Sequence, residues 1–320
     1  MKLDEIYVPI KTDLELVESK IADIAKNDIP LLSKMLEYAL LNGGKRVRPA
    51  LTLLSGKFYN YDPDMLVPMA AAVEMLHIGT LVHDDIIDNS TLRRGKPAFY
   101  LTWGASSALL LGDYLFSRAG TLAMTTENIR VIRRFTETLM TISGGELREG
   151  NTKFNPHSAR DNYYQWISDK TACLFVMAAE CGSVLSGCPE IQVTALKDYA
   201  LNFGLAFQII DDILDIIGDE AALGKPIGSD LSEGAVTLPT ILYAEKYPDD
   251  RIIKSIITEH KKELVPQAVE MIKNSMVIDE CRAIARQFYE KADRSLDILP
   301  DCDARKSLKG LATFVIERNK

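Results

Sequence analysis

The sequence predicts an all-α protein, and three observations carry the prediction. Apolar residues recur at helical spacing through most of the 320 residues, and no stretch alternates as a half-buried strand would. Two long apolar runs each end in a cluster of aspartates. A chain that ends buried helices in like charges implies a cation there, because uncompensated carboxylates one turn apart repel.

Taken in order, residues 3–26 read as an amphipathic helix, with Leu14, Val17, Ile21 and Ile24 spaced for one face. Residues 30–41 form a second, short helix. Gly43 and Gly44 stop it, and Pro49 suits the first turn of the next helix, over 49–59. The run from Leu66 to Val82 is apolar on nearly every face and leads into His83-Asp84-Asp85-Ile86-Ile87-Asp88, giving a buried helix over 66–88. Helices follow over 106–126 and 128–149. Asn155-Pro156-His157 marks a loop, and residues 160–186 read as one helix carrying Asp169-Lys170-Thr171. After a turn at Gly187 to Pro189, the run from Leu196 ends in Phe207-Gln208-Ile209-Ile210-Asp211-Asp212-Ile213-Leu214-Asp215. Gly224 to Thr237 is polar, Gly-rich and aperiodic, long enough to expect a flap over a site. The remainder alternates helical segments with breaks at Pro248, Pro266 and Pro300.

Composition narrows the function. At 47% hydrophobic and 26% charged the chain is an ordinary globular one, with no Pro/Gly/Ser-rich linker, so residues 1–320 read as a single domain. A net charge of −8 argues against a general nucleic-acid binder. The amino-terminal segment lacks a signal-peptide apolar core, and no apolar run reaches the ~18 residues of a transmembrane helix. Five cysteines without metal-like spacing point to reduced thiols and the cytoplasm.

The chemistry lies in the aspartates and the cations around them. Asp84 and Asp88 stand one turn apart on one helix face, and Gln208, Asp211, Asp212 and Asp215 form one polar stripe. Carboxylate oxygens with water suit Mg²⁺, which is held by one or two carboxylates plus substrate phosphates. Two such clusters imply a cavity in which they face each other across a polyphosphate. Basic residues are at hand in Lys45, Arg46, Arg48, Arg93, Arg94, Lys170 and Lys225. Gly43-Gly44-Lys45-Arg46-Val47-Arg48-Pro49 could hold an anion, although it is not a Walker A loop. His77 lies seven residues before Asp84, on the same face. Glu74 and His77 also fit Glu-x-x-His of di-iron bundles, which would need a second such pair that the chain lacks. No Ser–His or Cys–His pair presents itself. The inventory fits a reaction in which diphosphate leaves, metal ions draw it away and an apolar pocket receives the carbocation.

On GGKRVRP, LVHDDIIDNSTLRRGKP, GDYLF, DKT, FQIIDDILD, GKPIGSDLSEGAVTLP and the terminal FVIER, the sequence resembles the trans-isoprenyl diphosphate synthases, or polyprenyl synthetases. The resemblance implies an antiparallel helix bundle around a deep central cavity, a homodimer, and Mg²⁺-dependent 1′-4 condensation of an allylic diphosphate with isopentenyl diphosphate. It implies that Lys45, Arg48, His77 and Arg94 hold isopentenyl diphosphate. Asp84, Asp88 and Asp211 would lead in holding about three metal ions, supported by Asp85, Asp212 and Asp215. Arg93, Lys170, Thr171, Gln208 and Lys225 would meet the allylic diphosphate, with the departing diphosphate as the base. Many relatives carry a basic residue near Ala235, where this chain has alanine. Family members with short products place aromatics at the positions of Gly79 and Thr80, one turn below Asp84, with Leu76 a further turn down. Both are small here, so an open floor and a product of roughly C30 or longer are expected. The stretch around the first aspartates is also similar to the large subunit of two-component hexaprenyl and heptaprenyl diphosphate synthases, which implies that a small partner subunit could be required. A terpene cyclase, a non-catalytic subunit and a short-chain farnesyl or geranylgeranyl diphosphate synthase are the alternatives.

Overall fold

The computed structural model describes residues 2–41, 43–155, 160–219 and 226–318, the side chains of residues 151 and 152 excepted. Helices dominate, as expected. They gather into two compact units, one of residues 1–139, 174–200 and 294–311, the other of residues 140–173, 201–293 and 312–320.

The first unit begins with α1 (Leu3–Ile6), a 3₁₀ turn (Val8–Ile10) and α2 (Lys11–Ala25). The single helix expected over 3–26 is thus broken. Pro9 lacks the amide that would continue the first turn, so the chain restarts at Lys11. α3 (Pro30–Leu40) and α4 (Val47–Gly56) follow, and then α5 (Pro63–Ile87). Asp62 caps α5 by accepting from the amide of Asp64, and Pro63 occupies its first position, where no amide is needed. By length and composition α5 could cross a membrane, which corrects the expectation that no run is long enough. The reason lies in its surroundings: 78% of its apolar window is buried, so its hydrophobicity is that of a core helix. Its side chains from Leu66 to Leu76 are almost all inaccessible, with α2, α4 and α7 (Ala105–Met124) packed along it.

No strand was expected, yet Leu92–Arg93 pairs antiparallel with Lys96–Pro97. Arg94 and Gly95 turn the hairpin, both at positive φ (53° and 75°), as a tight type I′ turn requires. The ribbon is too short to leave a period-2 pattern. Short α6 (Phe99–Trp103) then leads into α7.

α8 (Ile129–Thr152), α10 (Cys173–Leu185), α11 (Glu190–Ile217) and α17 (Asp303–Ile316) each contribute residues to both units. The second unit also contains α9 (Arg160–Ile167), a π turn (Ser168–Ala172), α12 (Ser229–Ser232), α13 (Leu238–Lys246), α14 (Arg251–Glu259), α15 (Val265–Lys273) and most of α16 (Val277–Ser295). Its core is built from Ile167, Ile209, Ile213, Leu238, Ile256, Ile272 and Val277, all nearly inaccessible. The helix expected over 160–186 is interrupted by the π turn. That turn widens the helix by one residue at Ser168–Ala172, where Lys170 and Thr171 lie.

Candidate active site

In the first unit Asp84 lies in the last turn of α5 and Asp88 caps its end, both partly exposed, and the amide of Asp88 closes the turn on the carbonyl of Asp84 at 2.8 Å. Asp85, between them in sequence, points elsewhere and is 2% exposed. It accepts both Nε and Nη2 of Arg93, at 2.8 and 2.5 Å. Burial raises its pKa, and Arg93 opposes that shift. Arg93 is therefore held on Asp85.

The cations separate into two kinds. Arg46 is turned inward, with a side chain only 9% exposed, and is clamped by Glu18 and Glu74. Glu74 is thereby a structural counter-ion, which removes the di-iron reading. Arg48 and His77 meet at 3.1 Å, Nη1 to Nε2; since the guanidinium can only donate, Nε2 accepts and the ring is neutral. Arg48 also lies 4.4 Å over the ring of Phe175. The guanidinium of Arg94 donates to the carbonyl of Gly43 and lies flat against Gly44, where a β-carbon would be 3.2 Å from its nitrogens. Gly44 has φ +146°, so glycine serves both the backbone and the stacked guanidinium. Lys45 is exposed, and its carbonyl accepts the hydroxyl of Tyr7 at 2.8 Å. The pKa of His77 is held well below 6.5 by burial, then by Arg48, Arg94, Arg93 and Arg46. Arg46 and Arg93 are already matched by carboxylates; Arg48 and Arg94, gathered at one neutral imidazole, repel each other, and a polyanion relieves the repulsion.

The second cluster, at the end of α11, differs in its partners. Asp211 is half exposed and paired with Arg318, whose guanidinium also lies 4.8 Å over Phe207. Burial lowers the Arg318 pKa to about 10. Asp212 is 1% exposed and accepts Tyr163 Oη at 2.5 Å and Gln208 Nε2 at 2.8 Å. Burial pushes the Asp212 carboxyl up to about 8, Asp230 adds to the shift, and the two hydrogen bonds oppose it. Asp215 is 2% exposed; it accepts Ser229 Oγ at 2.8 Å and the amide of Asp230 at 3.3 Å, pinning the start of α12. Thr171 Oγ1 donates to Gln208 Oε1 at 2.7 Å. Lys170 Nζ is held by Glu146 at 2.8 Å and Glu149 at 2.5 Å. Gly145 admits this approach, since a β-carbon there would be about 3 Å from Asp169 and the Lys170 amide. Lys225 lies outside the described residues, as does His157.

The floor below Asp84 is not as expected. A β-carbon at Gly79 would come within 2.7 Å of the ring of Phe116, so the missing side chain is compensated by α7. Phe116 also meets His83 edge-on at 5.2 Å. Thr80 turns its hydroxyl back to the carbonyl of His77 at 2.7 Å, and Leu76 is fully buried. Sequence reasoning gave no role to Phe116, Tyr163, Ser229 or Arg318; Phe116, Ser229 and Arg318 stood in quoted motifs, whereas Tyr163, a lone aromatic, carries no spacing signal.

Among the described residues no three His, Cys, Asp or Glu side chains converge as a self-sufficient metal site. Asp84 and Asp88 nevertheless present hard oxygen donors one turn apart, the donor set of a Mg²⁺ that takes its other ligands from water and phosphate. Fold and site together define an all-α enzyme of diphosphate chemistry. The family model for polyprenyl synthetases matches residues 29–272, and the chain belongs to that family. It is 36% identical to heptaprenyl diphosphate synthase component 2 of Bacillus subtilis over 99% of this chain and 91% of that protein. It is 34% identical to a short chain isoprenyl diphosphate synthase of Methanothermobacter thermautotrophicus over 95% of this chain and 94% of the relative. A solved polyprenyl synthase of Caulobacter crescentus, complexed with calcium and isoprenyl diphosphate, superposes with a TM-score of 0.95 at 33% identity, covering 100% of this chain and 98% of its own. The chain is a prenyltransferase.

Proposed function

We propose that the chain condenses an allylic diphosphate with isopentenyl diphosphate, head to tail and with trans geometry, using Mg²⁺. The observation that carries this reading is the gathering of Arg48, Arg94 and neutral His77 in the unit that ends α5 in Asp84 and Asp88. Arg48, Arg94, His77 and exposed Lys45 bind the diphosphate of isopentenyl diphosphate. Asp84, Asp88 and Asp211 are the metal-facing carboxylates; Asp85, Asp212 and Asp215, each buried and hydrogen-bonded, hold the scaffold. When bound, Mg²⁺, in about three ions, would neutralise the departing diphosphate. Thr171, Gln208, Lys170, Arg93 and Lys225 serve the allylic diphosphate. Lys170 must leave Glu146 and Glu149 to do so, and Arg93 must leave Asp85. The C. crescentus structure, holding calcium and isoprenyl diphosphate, supports a divalent cation and a prenyl diphosphate at such a site.

The product is a polyprenyl diphosphate of roughly C30 or longer, a reading supported by the absence of aromatic side chains on α5 between Leu66 and Val82. Phe116 against Gly79 favours the second reading, a shorter product. Residues 1–320 act as one polyprenyl synthetase domain, in the cytoplasm, as a homodimer or with a small partner subunit; the B. subtilis relative's name as a component supports the last. The test is turnover by the purified chain with Mg²⁺, labelled isopentenyl diphosphate and farnesyl or geranylgeranyl diphosphate, with products sized by mass spectrometry. Products of about C30 or more support the long-chain reading, and products stopping at C15 or C20 overturn it. Binding of Mg²⁺ and diphosphate without turnover points to a missing subunit. Neither binding nor turnover overturns the function.

A further inference from the structure

Tyr163 lies on α9, outside every motif of the sequence, yet its hydroxyl ends fully buried against the second aspartate cluster. Three hydrogen bonds run in series from it. Tyr163 Oη donates to Asp212 Oδ2 at 2.5 Å, Gln208 Nε2 donates to Asp212 Oδ1 at 2.8 Å, and Thr171 Oγ1 donates to Gln208 Oε1 at 2.7 Å. The donor rules fix the direction of the series. With Tyr163 donating to one oxygen of Asp212, the other accepts from Gln208, whose amide turns its NH₂ toward Asp212 and its oxygen toward Thr171. One N–H of Gln208 is then left over to donate to an anion.

We propose that Tyr163 is a positioning residue for the allylic diphosphate, holding Asp212 so that Gln208 is locked in the donor orientation the diphosphate meets, with Thr171 engaged on its carbonyl oxygen. The inference rests on the functional reading above. It assigns Tyr163 no contact with substrate or metal. Without the hydroxyl, Asp212 loses one of its two donors, and its carboxylate is released to rotate and unlock Gln208.

The test uses the full-length enzyme and two near-isosteric variants. Tyr163→Phe removes the donor alone. Asp212→Asn keeps the shape but replaces one accepting oxygen with a donor, so that the side chain can no longer accept from both Tyr163 and Gln208. The primary readout is binding of Mg²⁺ with inorganic diphosphate, followed by calorimetry and by Trp166 fluorescence. Trp166 lies 5.8 Å from Tyr163 ring to ring, and its indole donates to Glu149, which also holds Lys170. Each variant should weaken this binding and raise KM for the allylic diphosphate by about 10- to 100-fold, the usual effect of losing a supporting partner behind a ligand. KM for isopentenyl diphosphate should stay within about twofold, since its cations belong to the other unit; a merely structural defect would move both. In the Gln208→Leu background, Tyr163→Phe should add less than about twofold, because the path through Gln208 is already cut. Unchanged binding in Tyr163→Phe, equal loss for both substrates, or multiplying effects would overturn the proposal. If Tyr163→Phe does not fold, Asp212→Asn decides alone, by the same selectivity. A wild-type enzyme that neither binds Mg²⁺–diphosphate nor turns over sinks the functional reading and this inference with it. A wild type that does both, with an indifferent Tyr163→Phe, sinks the inference only.

Discussion

Replacing Gly79 with alanine decides whether that position is an open floor or a packing contact. An added β-carbon would lie 2.7 and 2.9 Å from two ring carbons of Phe116 and 3.4 Å from the β-carbon of Leu115. Inside a helix, Gly→Ala alone gains about 1 kcal/mol. Overpacking a filled site costs about 1–3 kcal/mol. Phe116 is only half buried, so its ring has some room to yield, and the net expectation is a loss of up to about 2 kcal/mol. Against Phe116→Ala the contact is gone, and the same Gly79→Ala change should show its helical gain of about 1 kcal/mol. The two sites should therefore couple by about 1–3 kcal/mol in a double-mutant cycle. Urea unfolding followed by circular dichroism and by fluorescence gives the four free energies. Stabilisation of the wild-type background by Gly79→Ala, or additivity with Phe116→Ala, refutes the close approach and restores the open floor.

Phe116→Ala should also lengthen the product by at least one isoprene unit if its ring fills the space beside Gly79; mass spectrometry of the products reads this directly. Asp84→Asn should lower turnover roughly 10²- to 10³-fold with little change in stability. Asp85→Asn, which strips a buried partner from Arg93, should cost about 1–3 kcal/mol in urea unfolding as well as activity. Acid should weaken the first unit through His77. Its folded pKa lies below 6.5, so as pH falls through 6.5 the unfolded chain takes up a proton that the folded chain refuses. The resulting loss is up to about 1.4 kcal/mol per pH unit, and His77→Asn should flatten the slope between about pH 7 and pH 5. Arg318→Ala removes the cation already resting on Asp211 and should tighten Mn²⁺ binding measured by electron paramagnetic resonance; weaker binding would mean that Arg318 helps to hold the anion instead.

Helical periodicity made most of the helices legible, because each buries one face or, for α5, nearly all of them. What periodicity could not show were the interruptions. Pro9 breaks the first helix, but proline is also at home in first turns, and only the restart at Lys11 shows which role it plays. The π turn at Ser168–Ala172 inserts one residue into an otherwise regular pattern, and the Asp-Lys-Thr run that marks the place chemically says nothing of its backbone. Residue type alone is ambiguous at Gly79, where a small residue reads equally as space or as contact, and the neighbouring ring of Phe116 sits on another helix thirty-seven positions away in sequence.

The aspartates illustrate both the reach and the limit of the sequence. Spacing i, i+1, i+4 puts the first and third carboxylates on one face and the middle one about 100° round the helix. A division into two outward groups and one anchor follows from geometry alone, and Asp84, Asp88 and buried Asp85 obey it. The same spacing in Asp211, Asp212 and Asp215 should give the same division. It does not, because Ser229 and the amide of Asp230 cover Asp215, leaving Asp211 as the outward group. Two motifs with the same aspartate spacing thus become unlike sites: one offers two outward carboxylates to a cation, while the other offers one and commits two to the scaffold. Exchanging the roles tests this directly. Asp88→Asn should cost metal affinity with little effect on unfolding, whereas Asp215→Asn should first loosen α12 and lower stability by about 1–3 kcal/mol.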